Sequence, residues 1–255
     1  MTAAARTERA LVALLLGVAA LAWWWTVERM DGMDQGPWTS LGTLGWFSGV
    51  WIVMMAAMML PSAIPAVTLY ARLVRDRTAL APLVFTAGYL AVWTAAGIAA
   101  FCLAGGGSHV VGDVLTWSRG GRWLAGAALL CAAAYQLTPL KGACLARCRS
   151  PLGLMLGSWR PGRLGGFRLG LVSGAWCAGC CWALMASLFA LGVMSIAWTA
   201  LVAGLVALEK ILPWRRVATI GTAALLVALG LLLLAAPGLV PALTLPGAGS
   251  RPMSG

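Results

Sequence analysis

Long apolar runs, separated by short clusters of arginine, glycine and proline, occupy most of the chain from Ala10 to Leu234. A helix needs ~20 mostly apolar residues to cross a hydrocarbon core, and seven runs approach that length. They cover about Ala10 to Val27, Leu44 to Leu73, Leu80 to Ala104, Trp123 to Leu140, Leu169 to Leu191, Ile196 to Leu212 and Val217 to Leu234. The pattern predicts an all-α, polytopic transmembrane helical bundle with about seven spans and no soluble domain. Residues 1–43 read as an N-terminal anchor helix with an acidic loop. Residues 44–216 read as a helical membrane core, and 217–255 as a final span with a disordered tail.

Local signals refine the elements. The first run ends in Trp23, Trp24 and Trp25, as interfacial aromatic belts do. Ala20-Leu21-Ala22 resembles a signal-peptidase site, but three tryptophans directly after it favour an anchor. Pro61 and Pro65 should kink the second helix and free carbonyls that must find partners inside the protein. Loops are expected at Glu28 to Asp34, at the Gly-rich stretch holding His109 and Asp113, and at Lys141 to Arg168. The Pro- and Gly-rich tail from Pro237 should be disordered.

Composition supports this reading. Of 255 residues 61% are hydrophobic and 10% charged, with a mean hydropathy of +0.89, whereas soluble domains carry about 25% charged residues. The net charge of +11 would suit nucleic acid, but the basic residues sit in short loops between apolar runs. That is the distribution that orients membrane helices, and no basic face with interleaved aromatics exists. If the loops alternate, fourteen of the 18 basic residues fall on one side, including Arg6, Arg9, Arg75, Arg160 and Arg215. The N-terminus is therefore expected in the cytoplasm.

Candidate chemistry lies in sulfur. Met54, Met55, Met58 and Met59 place four thioethers on a broad helical stripe beside the Pro61–Pro65 pair. Neutral thioethers suit Cu(I) and are cheap to hold in hydrocarbon, although methionine more often serves as flexible packing. Cys177, Cys180 and Cys181 fall within an arc of about 100° on a helix, so three thiols point roughly one way. Gly170 and Gly174 extend that stripe, so it should be buried against a neighbouring helix. Cysteine as a small packing residue is the plainer alternative. Cys144 and Cys148, four apart beside Arg147 and Arg149, are a third cluster, placed to assist metal capture or thiol exchange. Cys131 has a depth in its run similar to that of the other two clusters. His109 is the single histidine, so paired histidine ligation within one chain is excluded. Glu209 and Lys210 are expected to pair or to reach the interface. There is no Gly-rich phosphate loop and no serine–histidine–acid set, so enzyme chemistry is the less favoured reading.

Three stretches carry a resemblance. They are Trp51 to Pro65, then Tyr135 to Lys141 with Cys144 and Cys148 to Pro151, and Cys177 to Met185 followed by Glu209-Lys210. The sequence is similar there to a bacterial family of predicted metal-binding integral membrane proteins carrying a domain of unknown function. The resemblance implies a multi-pass protein of the bacterial inner membrane with a copper-chaperone role. The reading is a protein that binds or passes Cu(I), with Cys177, Cys180 and Cys181 as primary ligands. Met54, Met55, Met58 and Met59 would be softer partners, and Cys144 with Cys148 a cytoplasmic loading or release point. Its partners would be the lipid bilayer and a copper-delivering or copper-accepting protein, not nucleic acid. The alternatives are a membrane thiol–disulfide relay and a non-catalytic scaffold of a membrane complex.

Overall fold

The computed structural model describes residues 3–30, 43–74, 80–111, 122–160, 162–191 and 196–235. These residues form helices only, with no strand. In chain order they are α1 (Ala3–Met30), α2 (Leu44–Leu73), α3 (Leu80–Val111), α4 (Arg122–Gln136), α5 (Pro139–Cys148), α6 (Pro151–Ser158), α7 (Gly162–Leu191), α8 (Ile196–Ile211) and α9 (Arg215–Ala235). Helices satisfy their own backbone groups, which apolar side chains cannot do for them. Leu, Ala and Met in these runs are also strong helix formers.

Local chemistry sets several boundaries. Thr43 caps α2 by accepting from the Trp46 N–H at 3.3 Å. The helix then runs unbroken through Pro61 and Pro65 to Leu73. Hydroxyls accompany the prolines: Ser62 donates to the Met59 carbonyl at 2.7 Å, and Thr68 to that of Ile64 at 2.8 Å. The run expected as one span from Trp123 to Leu140 is instead broken. Proline disfavours helix in the residue before it, so α4 stops short of Pro139, and the chain bends by 71° where α5 begins.

The segment expected as a basic loop, Lys141 to Arg168, is largely helical. Pro139 and Pro151 each open a short helix, where a missing N–H costs nothing. Gly162, at φ 84°, then starts α7 seven residues ahead of the expected Leu169. The backbone there is left-handed, which only glycine adopts without strain. His109 also departs from expectation, since α3 continues through it to Val111. Asp31, Asp34, Asp113 and the tail from Pro237 lie outside the described residues.

Five of the described helices are long and apolar enough to cross a membrane: Glu8–Arg29, Leu44–Leu73, Leu80–Leu103, Gly162–Leu188 and Arg215–Ala235. The bent pair Trp123–Gln136 and Pro139–Cys148 would make six. α8, at 16 residues, falls short of that length. The expected count of seven therefore exceeds what the described helices give by length and composition.

The chain divides into two compact units. The first comprises Met1–Glu28, Gly42–Phe101 and Leu140–Cys180, and it contains the three sulfur clusters except Cys181. Its core is the buried stripe of α2. Phe47 stacks on Trp51 with centroids 5.8 Å apart, and Tyr70 stacks on Phe85 at 5.4 Å. The Trp51 indole N–H donates to the Trp93 carbonyl at 2.7 Å. Gly97 leaves room for the Trp51 ring, which any Cβ there would strike. The second unit comprises Arg29–Leu41, Cys102–Pro139 and Cys181–Gly255. In it α4 packs along α9, where Gly126 accommodates Leu234 and Gly230 accommodates Leu130. The outward side chains are apolar as well: Leu103, Leu156, Leu164 and Ile211 are all more than 70% exposed.

Candidate metal centre

The centre is built in the first unit on the contact of α7 with α3 and α5. α7 meets α3 along a row of glycines. A Cβ at Gly170 would strike the Phe85 carbonyl, and one at Gly174 would lie 2.9 Å from the Tyr89 carbonyl oxygen. On α3, a Cβ at Gly88 would strike the Phe167 carbonyl in return. Small residues let two backbones approach this closely, so the buried face that the glycine spacing predicts is the face against α3. One turn beyond Gly174, the Cys177 Sγ lies 2.9 Å from the Tyr89 hydroxyl. Three residues further on, the Cys180 thiol donates to the Cys177 carbonyl at 3.1 Å.

α5 brings the remaining sulfurs. Cys144 is buried, and its Sγ stands 3.1 Å from where a Cβ on Gly179 would be. Cys148, the last residue of α5, places its Sγ within 4.8 Å of both Cys177 Sγ and Cys180 Sγ. Arg147 lies over the Trp176 ring, 4.7 Å from its centroid, and ties the end of α5 to α7. Metal–thiolate bonds are about 2.3 Å long, so two sulfurs across one ion stand up to about 4.6 Å apart. The three thiols are thus spaced so that one ion can reach them all with small adjustments.

Exposure differs within the trio. Cys177 and Cys180 are each 1% exposed, while Cys148 is half-buried. The donor set is sulfur alone, which suits a soft ion such as Cu(I) better than Mg, Ca or Mn.

The grouping differs from the one expected along the sequence. Cys148 joins Cys177 and Cys180, whereas Cys181 and Cys144 are buried outside the three-sulfur group. Met54, Met55, Met58 and Met59 are all buried in the first unit, each at 7% exposure or less. Cys131 is exposed on α4 despite its similar depth in the sequence. Glu209 is 2% exposed, so of the two expected arrangements, pairing with Lys210 or reaching the interface, the second does not hold. The sequence does not mark Tyr89, and it places the deeply buried Lys141 at the start of a basic loop. The pattern gives Tyr89 no signal beyond the neighbouring Gly88.

A family model of copper chaperones, PpoB2, matches residues 48–233. The chain belongs to this copper chaperone family. The matched stretch holds the methionine stripe, both α5 cysteines and all three α7 cysteines. Membership bears out the copper-related part of the resemblance noted above, under a different label from the domain of unknown function. No curated protein and no solved structure matches the chain. The residues present fit the family's cargo: three thiols from two helices converge, with no hard oxygen ligand in the group.

Proposed function

We propose that this copper chaperone is a multi-pass inner-membrane protein that holds Cu(I) between Cys148, Cys177 and Cys180 and passes it to a protein partner. The observation that carries the reading is the three-sulfur group itself, with two thiols buried and one half-exposed. Three thiolates give a soft ion a site that hard, abundant cations do not occupy. Cys177 and Cys180 retain the ion, and Cys148 is the ligand that an incoming thiol of a donor or acceptor displaces. Cys144 stands one turn behind Cys148 as a relay or loading group. Met54, Met55, Met58 and Met59 are thioether partners further along the ion's path, and Cys181 with Met185 extends the thiol face of α7.

Seven spans complete the membrane reading: the five long helices, the bent α4–α5 pair as a broken span, and α8. The apolar outward side chains support lipid as the surrounding medium. With the N-terminus inside, the α5–α6 segment faces the cytoplasm, which puts Cys148 within reach of a cytoplasmic copper-carrying thiol.

The test is anaerobic Cu(I) loading of the purified protein and its Cys148→Ser, Cys177→Ser and Cys180→Ser variants. X-ray absorption on the loaded protein should report sulfur ligands only. Each α7 variant should lose the ion outright, and Cys148→Ser should bind it more weakly with fewer sulfur neighbours. Undiminished copper in either α7 variant would refute the centre. A thiol–disulfide relay instead predicts turnover with a thioredoxin and no dependence on copper.

A further inference from the structure

We infer that Tyr89 is a positioning residue for the copper centre, donating its hydroxyl to the Cys177 sulfur and holding that ligand in place while Cys148 exchanges. The inference rests on the copper reading of the three thiols and adds a residue to it from a third helix.

The geometry is specific. Tyr89 is 2% exposed and Cys177 1%, with 2.9 Å between hydroxyl and sulfur. The contact is not a chance meeting of long side chains. The Tyr89 main chain lies against Gly170 and Gly174 of α7, so the tyrosine is delivered by backbone packing to the turn below Cys177. Phe85, Tyr89 and Trp93 follow one another at four-residue spacing on α3 and are all buried, so the ring sits in an ordered aromatic row.

The hydrogen bond changes character when the sulfur becomes a ligand. In the metal-free protein either atom can donate. A metal-bound thiolate carries no proton and only accepts, so the phenol must then be the donor. Hydrogen bonds to an ionised acceptor are about twice as strong as neutral ones. The bond therefore favours the copper-bound state over the empty one and fixes one lone pair of Cys177 away from the ion. Cys148 lies nearer the surface, half-buried where Cys177 is 1% exposed. On this reading the buried Cys177, held by Tyr89, stays and the half-buried Cys148 leaves.

Tyr89→Phe removes the hydroxyl and keeps the ring, and groups that orient metal ligands typically contribute 10- to 100-fold in affinity. The expected result is Cu(I) retention weakened about tenfold in competition with a chelator, with a shifted sulfur-to-copper ultraviolet band. Tyr70→Phe, at a buried tyrosine that packs on Phe85 and Trp159 instead, should leave both unchanged. A second readout needs no copper. In the metal-free protein the infrared S–H stretch of Cys177, assigned by its disappearance in Cys177→Ser, should move in Tyr89→Phe. An unmoved stretch overturns the hydrogen bond. A moved stretch with unchanged affinity and ultraviolet band overturns the positioning role and leaves the copper centre standing. Full copper retention by Cys177→Ser overturns the centre and the inference together.

Discussion

Replacing Gly170 by alanine tests whether the backbone contact of α3 and α7 builds the site. A Cβ at Gly170 would overlap the Phe85 carbonyl oxygen, with the Phe85 carbon and the Tyr89 nitrogen each 3.0 Å away. All three are main-chain atoms, so no side chain can rotate aside. Restoring van der Waals separation requires the helices to part by about 1 Å. Overpacking of this kind costs roughly 1–3 kcal/mol, and the upper end applies where only backbone can yield. Alanine's better helix propensity returns up to about 1 kcal/mol, leaving a net loss of about 1–2 kcal/mol. The same movement stretches the 2.9 Å contact between Tyr89 and Cys177 to about 4 Å, where a hydrogen bond is weak at best. Thermal unfolding in detergent and copper competition measure the two effects on one sample. Gly17→Ala on α1 is the control, because nothing lies within 4 Å of its Cβ, and it should be neutral or stabilising. A Gly170→Ala protein as stable and as copper-retentive as Gly17→Ala would refute the close-approach argument.

Three further outcomes are expected. Converting Met54, Met55, Met58 and Met59 together to leucine conserves apolarity and approximate volume at four buried positions. The variant should insert and fold with a cost below about 1.5 kcal/mol per site yet pass copper more slowly, as measured by transfer to a thiol acceptor. Trp51→Phe leaves the Trp93 carbonyl without the 2.7 Å bond it accepts; chemical unfolding should show a loss of about 1–3 kcal/mol, with the three-thiol spectrum unchanged. Reporter fusions after Arg75, Arg160 and Arg215 should all give cytoplasmic signals, and a periplasmic signal at Arg160 would break the topology.

The helices themselves were legible because lipid-like apolar runs leave the backbone no other partner; α2 occupies the run from Leu44 to Leu73 to the residue. The bend after Gln136 was harder to see. Pro139 opens α5 as readily as it ends a span, and hydropathy continues across the break. Clustering along the chain suggests a different grouping from the one that converges in space. Cys177, Cys180 and Cys181 share an arc, but a metal site needs ligands that converge on a point, and helix neighbours diverge from their axis. Convergence requires a second helix, and α5 supplies it at Cys148. The sequence shows that residue only as half of a separate pair. Tyr89 was invisible for the same reason: its relation to Cys177 spans 88 positions and depends on glycines whose role is to be small.

If the three thiols hold copper as proposed, the distribution of exposure favours transfer over storage. On the copper reading, one Cu(I) with three thiolates carries a net charge of −2, and burying that charge far from water would cost several kcal/mol. At the inner end the Tyr89 hydroxyl stands 2.9 Å from the Cys177 sulfur, where it would donate to a thiolate. At the outer end Arg147 lies exposed beside the half-buried Cys148, held over Trp176. The favourable place for the excess charge is therefore the Cys148 end, where the Arg147 cation stands beside a half-buried sulfur. When Cys148 leaves, the ion remains with Cys177 and Cys180 as a complex of charge −1, which is cheaper to hold in apolar surroundings. On the proposed reading copper then arrives or departs by exchange of one thiol at the half-exposed end, without exposing the two buried sulfurs. A centre of three equally buried cysteines would have no such low-cost intermediate, so on the proposed reading the half-exposed position of Cys148 is what favours hand-over to a partner's thiol.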